Sequence, residues 1–193
     1  MHLLEIVVQN LKVLHMNYPK QYETYFLTKD NKKITIRPLK TTDEHLLKDL
    51  YYSLDKQSMY FRFCEVGRNF CDTVIQQEVN IDYHNIFCIC ALVGEISNKE
   101  MVGTAGFYLN PNTNTAEFSF VVKKLWRNKG IGQYLLHHLI MIANEKGIKG
   151  FYGTIHFQNK NTIHIIKKLG YAKISPPEVG EKELCFELFF EKE

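Results

Sequence analysis

Seven residues, Trp126 to Gly132 (WRNKGIG), separate the apolar run FSFVV (Phe118 to Val122) from the helical stretch QYLLHHLIMIANEKG. A strand that gives way to a long amphipathic helix through so tight a turn implies a sheet with helices packed on it. The turn also constrains the chemistry. A helix start carries about four unpaired backbone N–H groups and a partial positive charge. Gly130 and Gly132 keep Cβ atoms clear of those amides, and Arg127 and Lys129 add positive charge. That composition suits a seat for phosphate. Neither familiar nucleotide loop is present: GxxxxGK followed by Ser or Thr is absent, and so is GxGxxG.

Periodicity along the chain predicts what surrounds the turn. Leu3, Leu4, Val7, Val8, Leu11 and Leu14 fall at helical spacing and stop before Pro19, a short amphipathic helix. YETYFLT and KKITIRPL flank Lys29, Asp30 and Asn31 and read as two strands about a turn. TTDEHLLKDLYYSL reads as a helix capped by Thr42 or Asp43, and FCDTVIQQEVN as another. NIFCICALVGE, MVGTAGFYL and TAEFSFVV are strands, the last two joined by the turn formers Asn110 to Asn114, so an antiparallel meander is expected. A helix closed by Gly147 follows, then the strand GFYGTIHF, the helix NTIHIIKKLG ended by Gly170, and the alternating strand ELCFELFF. The expected fold class is α/β of the α+β kind, a mixed and mostly antiparallel sheet flanked by helices. Residues 1–30 read as a helix and linker suited to joining another domain, and 31–193 as the main domain.

With 193 residues and 45% hydrophobic content the chain can bury a full core. Its net charge of +3 is spread over interleaved acids and bases, which argues against a nucleic-acid partner. No apolar run reaches the about eighteen residues of a membrane span, and no leader pattern opens the chain, so a cytoplasmic protein without a membrane partner is expected. Cys64, Cys71, Cys88, Cys90 and Cys185 are odd in number and scattered, hence free thiols. Cys88 and Cys90 share a strand face, but no second pair completes a zinc set, and no metal is expected. His84, His156 and His164 are present, yet spacing selects none of them as the base of a cysteine nucleophile. His137 and His138 read as a surface and boundary pair.

The pattern that fits the turn is RxxGxG, Arg127 to Gly132. It occurs with Asn159, eleven residues before Gly170-Tyr171, and with IRPLKTTDEHLLKDLYYSLDKQSMYFRF upstream. Together these residues resemble the GCN5-related N-acetyltransferases, over roughly residues 32 to 190. The upstream stretch, with IRP, an acidic helix and YxRF, is similar to the protein-lysine acetyltransferases and the acetyltransferase domains attached to acyl-CoA synthetases or CoA-transferases. The resemblance implies acetyl-CoA as acyl donor and a sheet splayed between the strand before the turn and the next strand. It implies the diphosphate on the amides of Arg127, Asn128, Lys129, Gly130, Ile131 and Gly132, and the pantetheine arm along Phe120, Val121 and Val122. Asn159 is a further implied cofactor contact, and also reads as a simple helix cap. An N–H near Val121 or Val122 would face the thioester oxygen. The implied acceptor is a primary amine, foremost a protein lysine, with a partner such as an acyl-CoA synthetase.

A lysine amine, with a reference pKa near 10.4, is neutral in about one molecule per thousand at neutral pH, so direct transfer gains from a base. Glu117 is the candidate. It lies near the start of the strand leading to the turn, shares a face with Ser119, and stands between Ala116 and Phe118, which suggests a half-buried carboxylate. Its position also matches the glutamate base of related protein acetyltransferases; the other reading is a solvent-facing strand glutamate. Many family members carry Tyr seven residues after the asparagine as proton donor, and here that position is Ile166. A CoA thiol can leave as thiolate without it. Arg62, in YFRF, reads as a packed anchor capping a neighbouring carbonyl. Acceptor choice is assigned to loops around residues 55 to 85 and 175 to 183. Two other functions stay open: a non-catalytic CoA-sensing or interaction module of a longer chain, and a small-molecule amine acetyltransferase. The apolar face of the N-terminal helix offers a surface for an oligomer.

Overall fold

Alternation along β3, Ile86–Val93, organises the molecule: Phe87, Ile89 and Ala91 belong to one buried cluster, Cys88, Cys90 and Leu92 to another on the opposite face. A strand buried on both faces reads as a continuous apolar run, as IFCICALV does. The computed structural model describes residues 18–63, 68–95, 98–177 and 180–190. The expected N-terminal helix and Cys64 lie outside the described residues.

The other strands are β1 Thr24–Leu27, β2 Lys33–Pro38, β4 Glu100–Asn110, β5 Thr115–Val122, β6 Gly150–His156, β7 Lys173–Ser175 and β8 Glu183–Phe189. They form one sheet in the order β1-β2-β3-β4-β5-β6-β8-β7, antiparallel except between β5 and β6. The helices are α1 Glu44–Tyr52, α2 Lys56–Phe63 and α3 Arg68–Val79 before β3, α4 Ile131–Glu145 between β5 and β6, and α5 Lys160–Lys167 after β6. Leu135, Leu136, Leu139 and Ile142 of α4 pack on the Phe87 face; Leu47, Leu50, Met59 and Ile75 of the first three helices pack on the Cys88 face. The α+β fold, the hairpin of β1 and β2 and the meander of β3, β4 and β5 agree with expectation. Gly147 and Gly170, with φ of 73° and 84°, follow α4 and α5 as the left-handed residues that close a helix.

Three details differ. Asp43 does not cap α1; its carboxylate is buried and holds the Arg37 guanidinium through two bonds of 2.7 Å, while also accepting the Lys40 N–H at 2.8 Å. A buried arginine needs that partner more than a helix end does. Helix α2, which covers YFRF, carries no clear apolar period and was not expected as a helix. β7 is a three-residue edge strand too short to show a pattern. Cys88, Cys90 and Cys185 are free thiols, and burial raises the Cys90 thiol to about 12.

What positions the site is the junction of β5 and β6. They pair only at Ala116 with Phe151 and Glu117 with Tyr152. Beyond that, β5 stays on β4 as far as Val122 and β6 stays on β8 as far as His156. Each half-sheet follows its own twist, so the strands part as expected and open a gap.

Candidate active site

At the end of β5 the chain turns through Asn128 and Gly130, with φ of 60° and 91°. Asn tolerates the left-handed region through its short polar side chain, and Gly enters it freely. The first backbone bond of α4 runs from Tyr134 N–H to the Gly130 carbonyl, 2.9 Å, which leaves the amides of residues 131–133 ahead of the helical ladder. The two glycines do different work. A Cβ at Gly130 would meet nothing within 4 Å, so Gly130 is there for its backbone angle. A Cβ at Gly132 would stand 3.2 Å from Phe120 and from Ile165, so Gly132 lets α4 pack closely and is not, as expected, only a clearing for a ligand. Arg127 is turned back from the turn: Nε donates to the Val122 carbonyl at 3.2 Å and Nη2 to Ser58 Oγ at 2.5 Å. Lys129 Nζ lies 2.5 Å from Asp30.

A cavity of about 500 Å³ lies between the end of β5 and the start of α5. All the residues expected to hold a cofactor line it except Lys129. Lys29, Lys160 and Lys168 also line it, cations that spacing alone did not mark, and the first turn of α5 faces it. Asn159 caps α5 by accepting the Thr162 N–H on Oδ1 at 3.3 Å; among the described residues Nδ2 has no partner. The two oxyanion candidates separate by parity. Lys123 N–H bonds to the Val102 carbonyl, so the amide of Val121 is turned toward β4, whereas that of Val122 is turned toward the gap.

A second cavity, of about 390 Å³, contains Glu117. Glu117 is exposed rather than half-buried, because its apolar neighbours Ala116 and Phe118 point to the opposite face of β5. Ser119 of β5 and Thr154 and His156 of β6 line the same cavity. His156 is 8% exposed and stacks between Phe61 and Phe157, with ring centroids 5.3 Å and 4.9 Å away. Its Nδ1 accepts the Gln158 N–H at 3.2 Å, an arrangement that puts the ring proton on Nε2. His156 was one of the histidines that nothing in the sequence selects; only the tertiary fold brings it into the cavity that Glu117 lines. Ile166, where many relatives carry tyrosine, is buried and lines this cavity.

The two cavities share Phe61, Arg62, Phe120, Asn159 and Thr162. Among the described residues Arg62 caps no carbonyl. Its Nη2 lies 2.5 Å from Glu78 Oε1, and Glu78 also accepts the hydroxyl of the fully buried Tyr51.

Residues 47–171 match the acetyltransferase (GNAT) family. The chain belongs to that family. This GNAT protein is therefore an acetyl-CoA-dependent N-acyltransferase, and the reading as a non-catalytic CoA-sensing module falls away. It is 22% identical over 149 residues to an acetyltransferase of Pseudomonas aeruginosa, covering 77% of this chain and 80% of the relative. The GNAT domain of S. lividans PAT superposes with a TM-score of 0.80 at 19% identity, over 90% of this chain and all of that one. A cAMP-binding acyltransferase from Mycobacterium smegmatis gives 0.61 at 20% identity, over 96% of this chain but 53% of that one. A ribosomal-protein-S5-alanine acetyltransferase from Vibrio fischeri gives 0.64 at 11% identity, over 86% of this GNAT chain and 96% of the other. A shared fold does not fix the acceptor, so the acceptor has to be argued from the site.

Proposed function

We propose that this GNAT enzyme moves the acetyl group of acetyl-CoA to a protein lysine, with the donor in the first cavity, the lysine in the second and Glu117 as general base. The observation that carries the reading is the position of Glu117: a carboxylate inside the cavity that adjoins the donor groove but does not share its phosphate-binding end. In this reading the diphosphate lies on the amides between Arg127 and Gly132, near Lys29, Lys160 and Lys168. The pantetheine arm runs along Phe120, Val121 and Val122, and Asn159 Nδ2 donates to it. The lysine nitrogen attacks the thioester carbon and forms the C–N bond. Its proton passes to Glu117, directly or through water, as the oxyanion forms opposite the Val122 N–H. The C–S bond then breaks and CoA leaves as thiolate, to be protonated by solvent, since position 166 holds isoleucine.

Two features support a lysine on a protein. Glu117 and Glu183 put carboxylates in the acceptor cavity, which favours a cation. Tyr60, Tyr108 and Phe157 stand 38%, 41% and 40% exposed in and beside it, the kind of aromatic surface that contacts a protein. The likeness to the GNAT domain of S. lividans PAT points the same way.

The test measures CoA release from acetyl-CoA by wild type and Glu117→Gln, with lysine-bearing proteins and with a polyamine and an aminoglycoside as competing acceptors. The variant is expected to keep its CoA affinity while turnover falls about 100-fold or more. Unchanged turnover removes Glu117 as base, and faster transfer to the small amines removes the protein acceptor.

A further inference from the structure

We infer that Arg62 binds the carbonyl oxygen of the acyl group at the point of transfer. The inference rests on reading the two cavities as donor and acceptor seats, and it adds to that reading a side chain that neither the motif nor the spacing marked.

Three observations combine. Arg62 is the only charged residue that lines both cavities among the described residues. Its guanidinium is rigidly anchored, with Nη2 on Glu78 and Glu78 in turn held by Tyr51, while the side chain keeps 15% of its exposure. Its donors are not used up: the two N–H groups of Nη1 have no protein partner among the described residues, while Nε, also without an acceptor, is enclosed and opens on neither cavity. A buried donor without an acceptor is costly and rare.

The position says which oxygen they await. In direct transfer the phosphates and pantetheine lie on one side of the junction and the amine on the other. Only the acyl carbon and its oxygen sit where the thiol and amine paths cross. A phosphate ligand is at odds with the second cavity, which the phosphates do not enter. A fixed cation beside that oxygen is attracted more strongly as the carbonyl becomes an oxyanion, which is what transfer requires. Arg62 would thus act with the Val122 amide, a charged donor beside a neutral one.

The test needs no acceptor amine. Dissociation constants of wild type and Arg62→Lys are measured calorimetrically for acetyl-CoA, for CoA, and for S-ethyl-CoA, which carries a methylene in place of the carbonyl. Lysine keeps a cation beside Glu78 but offers no second nitrogen to the junction. Wild type is expected to prefer acetyl-CoA over S-ethyl-CoA by about tenfold and the variant by less than threefold, with CoA and S-ethyl-CoA bound equally by both proteins. A variant that keeps the wild-type preference overturns the inference, and so does one that loses all three ligands in proportion, the mark of a structural role. Wild type without a preference for the carbonyl overturns it with no variant needed, which covers the case of an Arg62→Lys protein that does not fold. Failure of wild type to bind any of the three strikes the donor seat itself, a result distinct from the others, and takes the inference with it.

Discussion

Gly132 lies against Phe120 so closely that a methyl group on it would stand 3.2 Å from the ring edge. Phe120 walls both cavities, so this contact joins helix packing to ligand space. Gly132→Ala gains about 1 kcal/mol of helix propensity and loses about 1–3 kcal/mol to overpacking. It is therefore expected to change stability little while weakening CoA binding several-fold, because Phe120 and Ile165 must move into the groove. Gly130→Ala meets no side chain but must hold φ near 91°, at a cost of about 1–2 kcal/mol. Urea unfolding beside CoA titration separates the two; equal effects of both substitutions on both measurements would refute the division of labour.

The Arg37–Asp43 pair makes stability depend on pH in one direction. Burial alone would raise the Asp43 carboxyl, but the Arg37 hydrogen bonds and the Lys40 amide outweigh it and lower the carboxyl below its ordinary 3.8. A folded value below the unfolded one means stability that is fully present above about pH 4 and is lost as pH falls through the folded value. Asp43→Asn leaves Arg37 buried beside a neutral amide and is expected to cost about 3 kcal/mol at pH 7. The gap from wild type should shrink steadily below pH 4. A gap that stays constant down to pH 2.5 would show that the pair contributes nothing through its charge.

Asn159 holds two roles on two atoms, a cap through Oδ1 and a free amide nitrogen at the groove. Asn159→Asp keeps the cap and adds a favourable charge at a helix start, so its unfolding midpoint should hold or rise. It loses the Nδ2 donor and puts a negative charge beside an anionic ligand, so CoA affinity should drop at least tenfold. Asn159→Ala should lose both, with about 1 kcal/mol of stability. An aspartate variant that binds CoA as wild type does would reduce Asn159 to a cap.

Much of this architecture was legible in the residues. The turn at Asn128 to Gly132 announced itself because it needs left-handed angles and a close helix approach, demands that few residues besides glycine and asparagine meet. The meander was legible from the turn formers at Asn110 to Asn114. Glu117 was legible as a strand residue facing Ser119, but its exposure was misjudged from chain neighbours, which in a strand look the other way. The pairing of Arg62 with Glu78 joins residues on two helices, and the placing of His156 depends on the tertiary fold. Neither leaves a trace in local spacing. Arg127 and Lys129 were read as free charge at the turn, yet Ser58 and Asp30, distant in sequence, engage them. Which partner occupies a long side chain is a tertiary fact.

The register of β5 has a further consequence. Glu117 and Ser119 line the second cavity, Val121 and Val122 the first, and Phe120 stands at the changeover. A strand advances about 3.3 Å per residue and turns every side chain over at each step. One inserted or deleted residue between Glu117 and Val122 would shift the proposed base along the first cavity by that increment and swing it through the sheet to the packed side. The strand is thus a ruler with fixed graduations, intolerant of any change in their number. New acceptors can be accommodated by rebuilding α2 or the approach to β8, while the spacing from Glu117 to the turn stays as it is.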